Sequence, residues 1–148
     1  MSGLESLHQL LRQSHHARPE DLPEMAMRAA SLLGATTAVL YLVDHQQRVL
    51  TPLHAGSAPE RQTIPIEGTM AGRAYMRLAT QVTQEPAGGT RVWLPLVNGS
   101  ERLGVLEIVA DETLDEQTID ECASVAALLG ELTVTRSLYS DTIERIRR

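Results

Sequence analysis

The stretch from Arg91 to Ala110, RVWLPLVNGSERLGVLEIVA, carries the clearest structural signal in the chain. Arg91 to Val97 and Leu103 to Ala110 are runs rich in β-branched and aliphatic residues, joined through Asn98-Gly99-Ser100-Glu101. Asn-Gly supplies the positive φ angles that a tight hairpin requires, so the two runs read as antiparallel strands. In the second run both alternating sets are apolar, Leu103, Val105 and Val109 on one side and Leu106, Ile108 and Ala110 on the other. A strand of that kind is expected to be covered on both faces.

Outward from this hairpin, Asp115 to about Arg147 contains no proline and repeats Ile119, Cys122, Ala123, Ala126, Leu129 and Leu132 at spacings of three and four, followed by Leu138, Ile143 and Ile146. That spacing predicts one long helix, in which Gly130 is a weak point of up to about 1 kcal/mol relative to alanine. Upstream, Gly68 to Ala79 reads as a short helix, Gln81 to Thr83 as a small edge strand, and Gln84 to Gly89 as a loop. Ile64-Pro65-Ile66 is too short and too proline-broken for a central strand, and Ala55 to Thr63 is a loop of Gly, Ser, Pro and charge. Thr37 to Val43 and Arg48 to His54 form a second antiparallel pair around Asp44-His45-Gln46-Gln47. Glu20 to Leu33 carries Leu22, Met25, Ala26, Ala29, Leu32 and Leu33 at helical intervals, with Gly34 as its C-terminal cap. At the front, Leu4, Leu7, Leu10 and Leu11 give a narrow apolar stripe before the polar break Ser14 to Pro19.

A chain of 148 residues suits one domain with a real core. That core is aliphatic, since the sequence has no Phe and one Trp, Trp93. All 13 basic residues are arginine, which together with the lone Asn98 points to a GC-rich genome. The net charge of −6 speaks against nucleic acid, whose phosphates need clustered positive charge. The cluster Arg145, Arg147 and Arg148 is short and terminal, the kind that is ordinarily solvated. One cysteine, Cys122, rules out an intramolecular disulfide and a multi-cysteine metal cluster. No stretch reaches the roughly 20 apolar residues of a membrane helix, and Met1 to Arg18 lacks a secretory pattern, so the expected location is the cytoplasm.

Taken in order, these elements resemble a GAF domain from about Leu22 to Leu132. Three segments carry the likeness: Ala38-Val39-Leu40-Tyr41-Leu42-Val43-Asp44, then Gly68-Thr69-Met70-Ala71-Gly72-Arg73-Ala74-Tyr75, then Leu94-Pro95-Leu96 with Leu103-Gly104-Val105-Leu106. The resemblance implies an α+β fold with an antiparallel sheet of five to six strands. The N-terminal and long C-terminal helices cover one face, and a crossover loop and short helix cover the other. It also implies a ligand pocket under the crossover elements, lined by Val39, Tyr41 and Val43, with Met70, Arg73 and Trp93 as further candidates. The division implied is 1–18 for an N-terminal helix and linker offering a dimer contact, 19–133 for the GAF-like domain, and 134–148 for a continuing signalling helix.

GAF relatives include cyclic-nucleotide sensors, haem sensors, bilin photoreceptors and a free methionine sulfoxide reductase. The reductase needs redox cysteines, and bilin attachment needs one near the pocket; Cys122 lies on the apolar stripe of the last helix and reads as a packed core residue. The cyclic-nucleotide pattern Asn-Lys-x-x-x-Phe-x-x-x-Asp-Glu cannot be met without Lys or Phe. Haem needs an axial histidine in an apolar pocket, whereas His45 falls in a turn and His54 at a strand end. His15-His16 are adjacent and so cannot share one face of a helix for a metal. Glu60, Asp111, Glu112 and Asp115 lack an accompanying nucleophile and base, and solvated loops and a helix start account for them. Arg73 could pair a carboxylate or phosphate in bidentate fashion if it faced the pocket; a surface arginine is the simpler reading.

Catalysis, a metal and a cofactor are therefore not expected. The leading expectation is a sensory or regulatory module that binds a small molecule. It would dimerise through Leu4, Leu7, Leu11, Leu138, Ile143 and Ile146 and transmit to an output domain in cis or to a partner signalling protein. The arginine-only, Ala/Leu-rich style resembles actinobacterial regulators in which such a module precedes a serine/threonine phosphatase domain, and Ile146-Arg147-Arg148 reads as a cut through a signalling helix. The alternative is a pure dimerisation or protein-interaction module with a filled pocket, which the apolar Val39 and Val43 favour.

Overall fold

The computed structural model describes residues 21–53 and 59–135. Among these, the order is α1 (Leu22–Leu32), β1 (Thr37–Val43), β2 (Val49–Pro52), β3 (Ile64–Pro65), α2 (Met70–Arg77), β4 (Gln81–Gln84), β5 (Thr90–Asn98), β6 (Glu101–Ala110) and α3 (Glu116–Thr135). The strands form one antiparallel sheet in the order β3-β2-β1-β6-β5-β4. The expected seams Leu4, Leu7, Leu11 and Leu138, Ile143, Ile146 lie outside the described residues, as do His15, His16 and His54.

Alternation along the strands sorts the apolar residues into two layers. Ala38, Leu40 and Leu42 of β1, Val92, Leu94 and Leu96 of β5, and Leu106 and Ile108 of β6 point to one face. Met25, Ala26 and Ala29 of α1 and Cys122, Val125, Ala126 and Leu129 of α3 cover them there. Val39, Tyr41, Val43, Trp93 and Val105 point to the other face, where Ala71, Ala74 and Tyr75 of α2 close over them. Each buried aliphatic side chain contributes roughly 1.5–3 kcal/mol, so the two layers together hold the helices onto the two faces of the sheet. This is the α+β arrangement that the apolar pattern and the resemblance imply.

The local punctuation follows backbone chemistry. Gly34 adopts φ 85 after α1, and Ala35 N–H returns to Ala30 O at 2.8 Å, closing the helix end. Asp44 turns the chain between β1 and β2, with its Oδ1 accepting from Arg48 N at 2.7 Å and Val49 N at 2.9 Å. Burial works to raise the Asp44 pKa, but these N–H donors outweigh it and hold the carboxyl below its ordinary value. Thr69 caps α2 by accepting from Gly72 N at 3.0 Å, and Asp115 caps α3 by accepting from Thr118 N at 2.8 Å.

Three expectations change. Asn98 stays in β5, paired with Glu101, so the hairpin turn is Gly99-Ser100 and only Gly99 takes the positive φ, at 59. That is the pattern of a turn needing glycine at its first central position. The register slips between Leu96 and Val97, since Leu96 pairs Gly104 while Val97 pairs Arg102, and the extra residue turns Leu103 to the α1–α3 side, away from Val105. Gly130 is a contact: a Cβ there would lie 2.4 Å from Val97 O, so its absence lets α3 settle on β5 beside the bulge.

Gly104 faces the same constraint more severely, because a Cβ would lie 1.8 Å from Tyr41 O on the neighbouring strand. Gly104→Ala must push β1 and β6 apart and is expected to cost about 3 kcal/mol or more. Gly99→Ala meets no atom within 4 Å and loses only the ease of its positive φ, about 1 kcal/mol. Urea denaturation of the two variants should rank them in that order by a clear margin.

Candidate functional site

On the α2 side of the sheet one charged residue interrupts the apolar layer. Glu107 of β6 is 1% exposed and lies directly across from Val39 on β1 and Trp93 on β5. A buried carboxylate is costly unless its oxygens are satisfied. Here they are: Tyr41 Oη donates to Oε1 at 3.0 Å, Arg61 Nε donates to the same oxygen at 3.0 Å, and Arg91 Nη1 donates to Oε2. Arg91 in turn donates through Nε to Glu85 Oε1 at 2.7 Å.

Each partner arrives from a different element. Tyr41 sits on β1, one diagonal step from Glu107, and its ring lies 5.8 Å from that of Trp93 at an interplanar angle of 55°. Tilted aromatic pairs at that spacing are favourable. Arg91 is the second residue of β5, and Arg61 belongs to the segment that leads into β3. Glu107 therefore ties β1, β5 and the segment that leads into β3 to one carboxylate. Burial and then the Glu107 charge push the Tyr41 pKa up, so the phenol stays a neutral donor at ordinary pH. Burial alone would lower the Arg91 pKa, but the two carboxylates raise it.

The residues singled out from the sequence fall into two groups. Val39, Tyr41, Val43 and Trp93 share the α2-side layer with Glu107, and Met70 packs against it. Arg73 stands on the exposed side of α2, where its Nη1 meets Met70 Sδ at 4.0 Å. Sequence reasoning missed Glu107, Arg61 and Arg91. Glu107 had a readable signal, as the single charge within Leu103 to Ala110. Arg61 had none, because it reaches the carboxylate from 46 positions away.

Cys122 is fully buried among α1, α3 and the opposite face of the sheet, and burial pushes its thiol pKa up to about 12. It cannot act as a thiolate nucleophile there. His45 is exposed in the β1–β2 turn. Among the described residues, no group of three His, Cys, Asp or Glu side chains is arranged to hold a metal ion, and no helix is long and apolar enough to cross a membrane.

No family model and no curated protein matches the sequence. Solved structures do match the fold. The GAF domain of an Acinetobacter phosphoenolpyruvate-protein phosphotransferase superposes with a TM-score of 0.76 at 13% identity, over 95% of this chain and 99% of its own. The second GAF domain of DevS from Mycobacterium smegmatis gives 0.65 at 21% identity, over 84% and 96%. fRMsr of Staphylococcus aureus in its reduced form gives 0.56 at 19% identity, over 73% and 80%.

The arrangement around Glu107 makes the two ends of its ion pairs unequal. The Arg61 side chain is 27% exposed and can return to water, whereas Glu107 cannot. Glu107→Gln replaces one acceptor oxygen by an NH2 group that only donates and so faces either the Tyr41 and Arg61 donors or the Arg91 donor in a buried position, and it is expected to cost about 2–4 kcal/mol. Arg61→Gln leaves Tyr41 and Arg91 in place and should cost about 1 kcal/mol or less. Denaturant titration followed by Trp93 fluorescence reads both; equal losses would contradict the picture.

Proposed function

We propose that this chain, which has the GAF fold, is a non-catalytic sensory or regulatory module that binds a small molecule on the α2 side of its sheet. One observation carries the reading: an aliphatic protein keeps a buried carboxylate, a phenol and two arginines together, one of the arginines reaching in from the segment that leads into β3. A hydrophobic replacement of such a group is often neutral or stabilising, and departures of this kind concentrate at functional sites. Apolar walls from Val39, Val43, Met70 and Trp93 around a few placed polar groups fit the general make-up of a small-molecule site. The matched GAF domains of the phosphotransferase and of DevS belong to larger proteins, which supports a regulatory reading over a free-standing activity. The inert Cys122 supports the absence of thiol catalysis.

In this reading the module works in the cytoplasm as a homodimer through the Leu4, Leu7, Leu11 and Leu138, Ile143, Ile146 seams. Ligand occupancy shifts the packing of those helices and so the state of an output domain in cis or a partner signalling protein. The energetic requirement is that the ligand bind one packing state better than the other. A second reading, a dimerisation or protein-interaction module without a ligand, is favoured by the close burial of Val39 at 2% and Val43 at 0% exposure.

A native mass spectrum of the full chain as purified separates the two readings. A dimer with a reproducible added mass is the expected result. A bare dimer would favour the interaction module, and a bare monomer would count against both.

A further inference from the structure

A cleft of about 800 Å³ opens on the other side of α2, between that helix and the β2–β3 edge. Arg48, immediately before β2, stands on one wall, and Arg73 and Arg77 stand on the other. None of these three guanidinium groups joins an ion pair among the described residues. Among the described residues the one carboxylate lining the cleft is Glu67, so three positive charges face a single negative one there, in a chain of net charge −6. Like charges held on one concave surface repel each other and concentrate a field that attracts anions.

The helix orients this charge. Gly72, Arg73, Met76 and Arg77 fall on the cleft side of α2, while Ala71, Ala74 and Tyr75 fall on the core side. Arg73 and Arg77 are one helical turn apart, which puts their Cβ atoms about 5–6 Å from each other. No acidic residue occupies the first turn of α2, whose positive end opens beside the same cleft at Gly68 and Thr69. Gly72 packs against the backbone just past β3, since a Cβ there would lie 1.7 Å from Ile66 O, and Ile66 N–H donates to Arg48 O at 2.9 Å, so the two walls are tied through Ile66.

We propose that this cleft is a binding site for a diphosphate group. Guanidinium forks take phosphate oxygens in bidentate fashion. Two phosphoryl groups match two arginines one turn apart, and Arg48 closes from the opposite wall. Met76, 52% exposed at the cleft, offers an apolar shelf for the body of an ester. The site is separate from the Glu107 network and stands whether or not that network binds a ligand.

Isothermal titration calorimetry of the full chain at constant ionic strength tests it, with inorganic pyrophosphate, inorganic phosphate and ADP as probes. Saturable binding of pyrophosphate, tighter than that of phosphate, is expected. Arg48→Gln and Arg73→Gln, from opposite walls, should each weaken it by roughly tenfold, while Arg28→Gln on α1 leaves it unchanged. Because neither Arg48 nor Arg73 joins an ion pair among the described residues, both variants should melt with the parent in the absence of probe. Tighter binding of ADP than of pyrophosphate assigns the site to a diphosphate ester, and equal binding assigns it to the bare diphosphate. The absence of saturable heat, or equal affinity in the parent, Arg48→Gln and Arg73→Gln proteins, overturns the proposal.

Discussion

Strands β1 and β6 lie side by side at the centre of the sheet with both faces out of water, and a strand in that position must find apolar cover on each side. Six of the seven residues of β1 are buried, alternating between the two layers. That requirement explains the two-sided architecture: α1 and α3 supply one cover, and α2 with Ile64 and Ile66 supplies the other. It also explains the glycines that matter. Gly104 lets β6 close on β1, and Gly130 lets α3 close on β5, because each stands where a Cβ would meet a backbone oxygen.

Within such a sheet a charged side chain is exceptional, and Glu107 sits in the central strand pair. Its two oxygens draw in Tyr41 from the neighbouring strand, Arg91 from β5 and Arg61 from outside the sheet. The carboxylate thus connects the centre of the sheet to Arg61 in the segment that leads into β3. A small molecule that competes for Arg61, or inserts beside Trp93, would alter that connection without disturbing the α1–α3 layer.

Much of the fold was legible because it depends on local chemistry and alternation. The hairpin around Gly99, the helical stripe from Ile119 to Leu132 and the two-sided apolar run of Leu103 to Ala110 each carry their own signal. What could not be read were the features set by tertiary contact. The bulge that turns Leu103 away from Val105 arises from pairing between strands, and Gly130 looks like a weak helix position until β5 is placed beneath it. The site divided along the same line. Val39, Tyr41, Val43 and Trp93 share a face because strand periodicity puts them there, but Arg73 points outward because the packing of Ala71, Ala74 and Tyr75 fixes the rotation of α2. Glu107 was visible only as a break in an apolar run, and Arg61 only through the crossing of a distant segment.

The central claim is that Glu107 holds the segment entering β3 onto the sheet as a unit separable from the helix layer. Hydrogen–deuterium exchange of the parent and Glu107→Gln proteins, followed residue by residue under native conditions, tests it most directly. The account predicts faster exchange in residues 59–66 of the variant, with α1 and α3 as protected as in the parent. Unchanged exchange in that segment, or an equal rise throughout the chain, would contradict it.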